Sequence, residues 1–115
     1  MTNEPRRYRN ISLAVTNSSQ DAYTCPANTT TIVREIIVPN VDGTNNADIT
    51  VTLRNAAGST IHSTLAYTIS VPSDATLVVI SKDSSIYLEE DMSLYLQASA
   101  AGDLAATCSY EVISE

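Results

Sequence analysis

Residues 29–54, TTTIVREIIVPNVDGTNNADITVTLR, commit this chain to extended structure. Thr, Ile and Val crowd the first part, and their β-branched side chains fit a pleated surface better than a helix. From Asp48 to Arg54 the residues alternate, with Ile49, Val51 and Leu53 on one side and Thr50, Thr52 and Arg54 on the other. That period of two predicts a half-buried strand. Between the two runs, Pro39 ends a ladder by withholding a donor, and Asp42-Gly43 suits a loop with positive φ. Arg34 and Glu35 are neighbours, so in a regular strand they point to opposite faces and one face is not wholly buried.

The same pattern recurs on both sides. Tyr8–Thr16 places Ile11, Leu13 and Val15 on one face, and Ala22–Cys25 forms a short strand stopped by Pro26. After the Asn55–Gly58 connection, the odd positions Leu65, Tyr67, Ile69 and Val71 are set against the even ones His62, Thr64 and Thr68. Short strands follow at Thr76–Ile80 and Ile86–Leu88. Ser93–Ala100 carries Leu94, Leu96 and Ala98 on one face, and the last strand carries Leu104, Ala106, Cys108, Tyr110 and Val112. Turn signals every eight to twelve residues and about eight strands predict an all-β antiparallel sandwich of the jelly-roll kind. No long stretch prefers the helical period.

Such a chain has room for one core. Without Trp or Phe and with only six Tyr among 115 residues, that core is built from Ile, Val, Leu and Ala. A thin aliphatic core is marginal alone, and small domains in that position gain stability from a disulfide, a metal or oligomerisation. The net charge of −7 repels nucleic-acid phosphates and anionic lipid, so neither is expected as a partner. No segment reaches the length of a membrane-spanning helix, and none reads as a signal peptide.

Charge is uneven along the chain. Arg6, Arg7 and Arg9 against Glu4 leave the first ten residues at +2 and the remainder at −9. We read residues 1–10 as a basic N-terminal arm and residues 11–115 as a single β-sandwich domain. The arm is either a solvated terminus or a contact for an acidic neighbour, such as another copy of this chain.

Few residues offer chemistry. A disulfide between Cys25 and Cys108 would close a loop of about 82 residues and contribute roughly 4–5 kcal/mol in the chain-entropy model; the alternative is two reduced, buried thiols. The single histidine, His62, lies mid-strand on the outward parity, far from what a catalytic triad needs. Two Cys and one His without close spacing do not complete a zinc site. The acidic loops Glu89-Glu90-Asp91 with Asp83, and Asp42 with Asp48, match no defined calcium loop. Asn10, Asn17 and Asn28 head glycosylation sequons that are incidental in so Ser- and Thr-rich a chain. We therefore expect no catalytic residues, no metal and no cofactor. The Thr and Ser rows suit a sheet face that meets water or a protein through many weak polar contacts.

Five stretches carry a family resemblance: AYTCPANTTTIV, NVDGTNNADITVTL, VPSDATLVVI, IYLEEDMSLYLQASAAGDL and the ending CSYEVISE. Across about residues 22–115 they resemble small accessory virion proteins of tailed bacteriophages of marine and freshwater hosts. Val112 departs from the Ser-Tyr-Glu-Glu-Ile-like ending of that pattern. The resemblance implies a non-enzymatic virion structural protein with a β-sandwich fold, most simply a capsid cement or decoration protein. It would bind a major capsid protein or other virion protein, in virions assembled in the host cytoplasm, as a homo-oligomer with a trimer favoured. Arg6, Arg7 and Arg9 are the expected inter-subunit contact. The rivals are a neck or tail component and a carbohydrate-binding or adhesin module, the latter short of the aromatics that stack on sugars.

Overall fold

The computed structural model describes residues 6–81, 83 and 85–114, with the backbone alone at 6 and 114. These residues form nine strands and no α-helix: β1 (Arg6–Val15), β2 (Gln20–Thr24), β3 (Thr29–Pro39), β4 (Ala47–Asn55), β5 (Ile61–Val71), β6 (Thr76–Ile80), β7 (Ile86–Leu88), β8 (Met92–Ala98) and β9 (Leu104–Ser114). They make two antiparallel sheets. The larger has the order β1-β9-β3-β6, with β7 also on β3, and the smaller has the order β2-β8-β4-β5. Successive strands keep crossing from one sheet to the other, which is the double Greek-key wrapping of a jelly roll. One edge of β3 is shared: β6 pairs with Ile36–Pro39 and β7 with Thr31–Val33.

The inner faces meet in an aliphatic core. Val33, Ile36, Val38, Leu88 and Leu104 come from the larger sheet, and Ile49, Val51, Leu94 and Leu96 from the smaller. Each such side chain, fully buried, contributes roughly 1.5–3 kcal/mol. The inward half of the Asp48–Arg54 alternation is realised, with Ile49, Val51 and Leu53 buried, because β4 pairs with β8 without a register shift; Thr52, of outward parity, is also buried, and its hydroxyl accepts from Arg54 Nε.

Three expectations are corrected. Arg34 and Glu35 do not take opposite faces: both are exposed, because a bulge between Val33 and Glu35 adds a residue against β9 and resets the parity. On β5, three register shifts each place an extra residue opposite β4. The odd positions therefore do not all share the core: Val71 is buried and Leu65 packs against the core, Ile61 and Tyr67 are exposed, and Ile69, opposite core Ile49 before the first shift, is partly exposed on the edge strand. Finally, the boundary at residue 10 falls inside β1. Arg6–Asn10 continue the β1–β9 ladder in unbroken register, from Arg6 opposite Ile113 to Val15 opposite Leu104. Residues 1–5 lie outside the described residues.

Candidate interaction surfaces

The sequence-nominated residues scatter over the molecule. Arg7 and Arg9 are exposed on β1, an edge strand, and alternate with exposed Tyr8. Arg9 lies opposite Tyr110, whose ring stands 4.4 Å from that of Tyr23. Burial raises the pKa of both tyrosines above the usual phenol value. Charged residues on an exposed edge blunt uncontrolled strand pairing. His62 is exposed on β5.

Cys25 and Cys108 are free thiols, both buried. No bridge joins them, and the ladder shows why. Cys25 Sγ lies 3.5 Å from the Thr29 carbonyl oxygen, and Thr29 pairs with Ser114. Cys108 sits six residues back along β9, roughly 20 Å away at ~3.4 Å per residue. A disulfide needs Cα atoms within about 7 Å. Burial pushes the Cys108 thiol up to about 11, so it stays protonated and unreactive in the folded protein.

The acidic loops serve the backbone. Asp42 accepts N–H bonds from Thr44 (2.8 Å) and Asn45 (3.3 Å) and a side-chain amide bond from Asn45 (3.0 Å). The Asn45 amide, then the Thr44 N–H and the Asp103 carboxyl, lower its pKa to about 2, while the same contact with Asp42 raises that of Asp103. The pair ties the β3–β4 loop to the β8–β9 loop, where the Val41 N–H donates to the Asp103 carbonyl at 2.7 Å. Glu90 Oε2 accepts from the Asn28 N–H at 2.9 Å. Among the described residues no three His, Cys, Asp or Glu side chains are placed to hold a metal ion.

Two surface features were not singled out in the sequence. The first crosses the outer face of the larger sheet, where register aligns Tyr8, Glu111, Ile32 and Tyr87 in one row. The tyrosines are exposed, and Glu111 between them is buried and paired with Arg34. The second is a groove of about 320 Å³ on the outer face of the smaller sheet. Asp48, Thr50, Thr52 and Arg54 of β4 form its floor, Thr64, Tyr67 and Thr68 of β5 one wall, and Gln97 of β8 the other. The alternating threonines of β4 signalled this face; the β5 wall depends on bulges that no periodicity reveals.

No family model and no curated protein matches the chain. Among solved structures it is similar to a chain of the disulfide-linked pili of Bacillus endospore appendages, at 12% identity and TM-score 0.58, covering 95% of this chain and 86% of that one. It is also similar to a chain of infectious bursal disease virus Gx strain, at 12% identity and TM-score 0.55, over 96% of this chain. The protein spans about a third of that viral chain's length, with 33% covered. A third likeness is to a chain from the acid-stable capsid of Helicobacter pylori bacteriophage KHP30, at 8% identity and TM-score 0.52, covering 97% and 90% of the two chains. At these identities the likeness is one of fold: a two-sheet, jelly-roll-like sandwich.

Proposed function

We propose that this chain is a virion structural protein, a capsid cement or decoration protein of a tailed bacteriophage that binds the outer capsid surface and stabilises the head. The observation that carries the reading is the near end-to-end match with a chain of a phage capsid, together with the jelly-roll strand order. Such a protein needs no catalytic centre; it needs surfaces. By binding the assembled lattice and not its free subunits, it stabilises the lattice through mass action. A small oligomer, with a trimer favoured, would bring several contacts to neighbouring major capsid subunits at once. The open edge of β1, with Arg6, Arg7 and Arg9, is the proposed inter-subunit contact, and the acidic remainder of the chain supplies its complement.

A pilus-like filament subunit is the second reading, favoured by the similarity to the endospore appendage chain. Burial of both cysteines argues against linkage of folded copies through disulfides. A neck or tail component keeps the structural class and changes only the location.

Immunogold labelling of intact particles with antibody against this chain tests the assignment. Label spread over the head supports the cement reading, label confined to neck or tail selects the alternative, and no label on any particle overturns both.

A further inference from the structure

We propose that the groove on the outer face of the smaller sheet is a binding site for a neutral oligosaccharide. Its floor is rigid before any ligand arrives. Arg54 donates from Nε to Thr52 Oγ1 (3.0 Å), from Nη1 to the Gly58 carbonyl (3.2 Å) and from Nη2 to Ser19 Oγ (3.2 Å). The guanidinium also lies 4.9 Å from the centre of the Tyr95 ring, and these contacts hold it in place as part of the floor. Gln97 is held in the same way: its Nε2 donates to the Asn17 carbonyl at 3.1 Å and its Oε1 accepts from Ser19 at 3.2 Å.

Against this fixed floor, three polar groups have no side-chain hydrogen bond among the described residues: the Asp48 carboxylate, the Thr64 hydroxyl and the Tyr67 hydroxyl. Asp48 lies four residues along β4 from Thr52, the partner of Thr64, so these groups are spread along the groove, roughly 13 Å from end to end at ~3.4 Å per residue, and suit hydroxyl groups of successive sugar units. The Tyr67 ring, 70% exposed, offers an apolar face for the C–H side of a pyranose. One aromatic with a few polar groups is the composition of a small-molecule site, and ~300 Å³ is the lower limit of such sites, which suits a short stretch of glycan.

Thr68 adds an independent observation. It has φ 46°, a left-handed conformation that is an outlier for a β-branched residue. Its N–H donates to Thr50 Oγ1 at 3.0 Å, and the resulting bulge brings Tyr67 to the groove rim. Backbone strain of this kind collects at functional sites. A protein partner fits less well, since the centres of protein interfaces are depleted in Asp and Ser and rich in buried aromatics. Anionic glycans are disfavoured by Asp48 and by the net charge of −7.

The test is a titration of the full ¹⁵N-labelled chain, followed by amide spectra, with maltotriose, mannobiose and diacetylchitobiose in turn. Sialyllactose is the anionic comparison. Sugars are used at about 10 mM, above the millimolar dissociation constant expected of an open polar groove. The expected result is shifts confined to amides of Thr50, Thr64, Thr68 and Gln97 with at least one neutral sugar, weaker by about tenfold or more in Tyr67→Ala and Asp48→Asn, and absent with sialyllactose. Both substitutions are at the surface, and unchanged amides elsewhere report an intact fold. No groove shifts with any neutral sugar, or shifts that persist in Tyr67→Ala, would overturn the site; equal shifts with sialyllactose would overturn its neutral specificity. The outcome is independent of where in a particle the chain resides.

Discussion

Arg34 Nη1 donates to Glu111 Oε1 at 3.3 Å, and the carboxylate it meets is 1% exposed although its parity on β9 is that of the solvent face. The bulge at Val33–Glu35 makes this contact. Without the extra residue, Arg34 and Glu35 would lie on opposite faces; with it, Arg34 turns outward over the neighbouring strand. Removing the guanidinium weakens the compensation of a desolvated charge, whereas neutralising the carboxylate removes the charge itself. Arg34 is 48% exposed, so solvent screens part of the effect. Arg34→Ala is expected to lower stability by about 1–2 kcal/mol and Glu111→Gln by less, read from denaturant midpoints. Equal and negligible losses would show that the pair does not matter to the fold.

Gly58 fixes the β4–β5 connection. Its φ is +78°, and a Cβ there would meet the Tyr95 hydroxyl and ring, which lie against Arg54. Gly58→Ala therefore combines a left-handed backbone penalty with a displaced aromatic, and a loss of about 1–3 kcal/mol is expected by thermal unfolding. Gly102, with φ +88° and open space around it, should show the backbone penalty alone.

Acid should act on the loop pair Asp42 and Asp103. The Asp42 pKa is depressed to about 2, so its stabilising contribution is present above the ordinary carboxylate pKa and is lost as pH falls toward 2. Asp103 is shifted upward, so its contribution has the opposite sign: it is unfavourable above its folded pKa and vanishes once protonated. Asp42→Asn should lower the melting temperature at pH 6–7, with the gap to the parent closing near pH 2. Asp103→Asn should leave it unchanged or raised at pH 7. A deficit in Asp42→Asn that is constant across pH would contradict the assignment.

Thiol accessibility checks the cysteines. A thiol reagent such as dithionitrobenzoate should label neither Cys25 nor Cys108 in the native chain and both once it is unfolded, because both are buried and the Cys108 thiol is held near 11. Rapid native labelling, or a non-reducing mobility that shows an intramolecular bridge, would contradict the observed separation.

The sequence was legible where ladders run without interruption. Ile49, Val51 and Leu53, then Leu94, Leu96 and Ala98, read correctly because the β4–β8 register has no shift, so a period of two maps directly onto burial. Bulges erased that mapping elsewhere. Tyr67 carries core-like parity yet lies exposed on β5, and Arg34 and Glu35 share exposure, because a single inserted residue exchanges the faces of everything beyond it. The groove escaped notice for a second reason. Asp48, Tyr67 and Gln97 come from three strands whose adjacency is set by long-range pairing, which local pattern does not encode. The cysteines posed the same problem: parity suggested burial, but only the register fixed their distance.

The central claim is that this chain binds an assembled head and stabilises it. Thermal disruption of purified heads, with the chain removed and then added back, tests that claim most directly. The account predicts that heads lacking the chain come apart several degrees lower and that adding it restores the original midpoint, with the added chain sedimenting with the heads. An unchanged midpoint, with the added chain remaining in the supernatant, would contradict it.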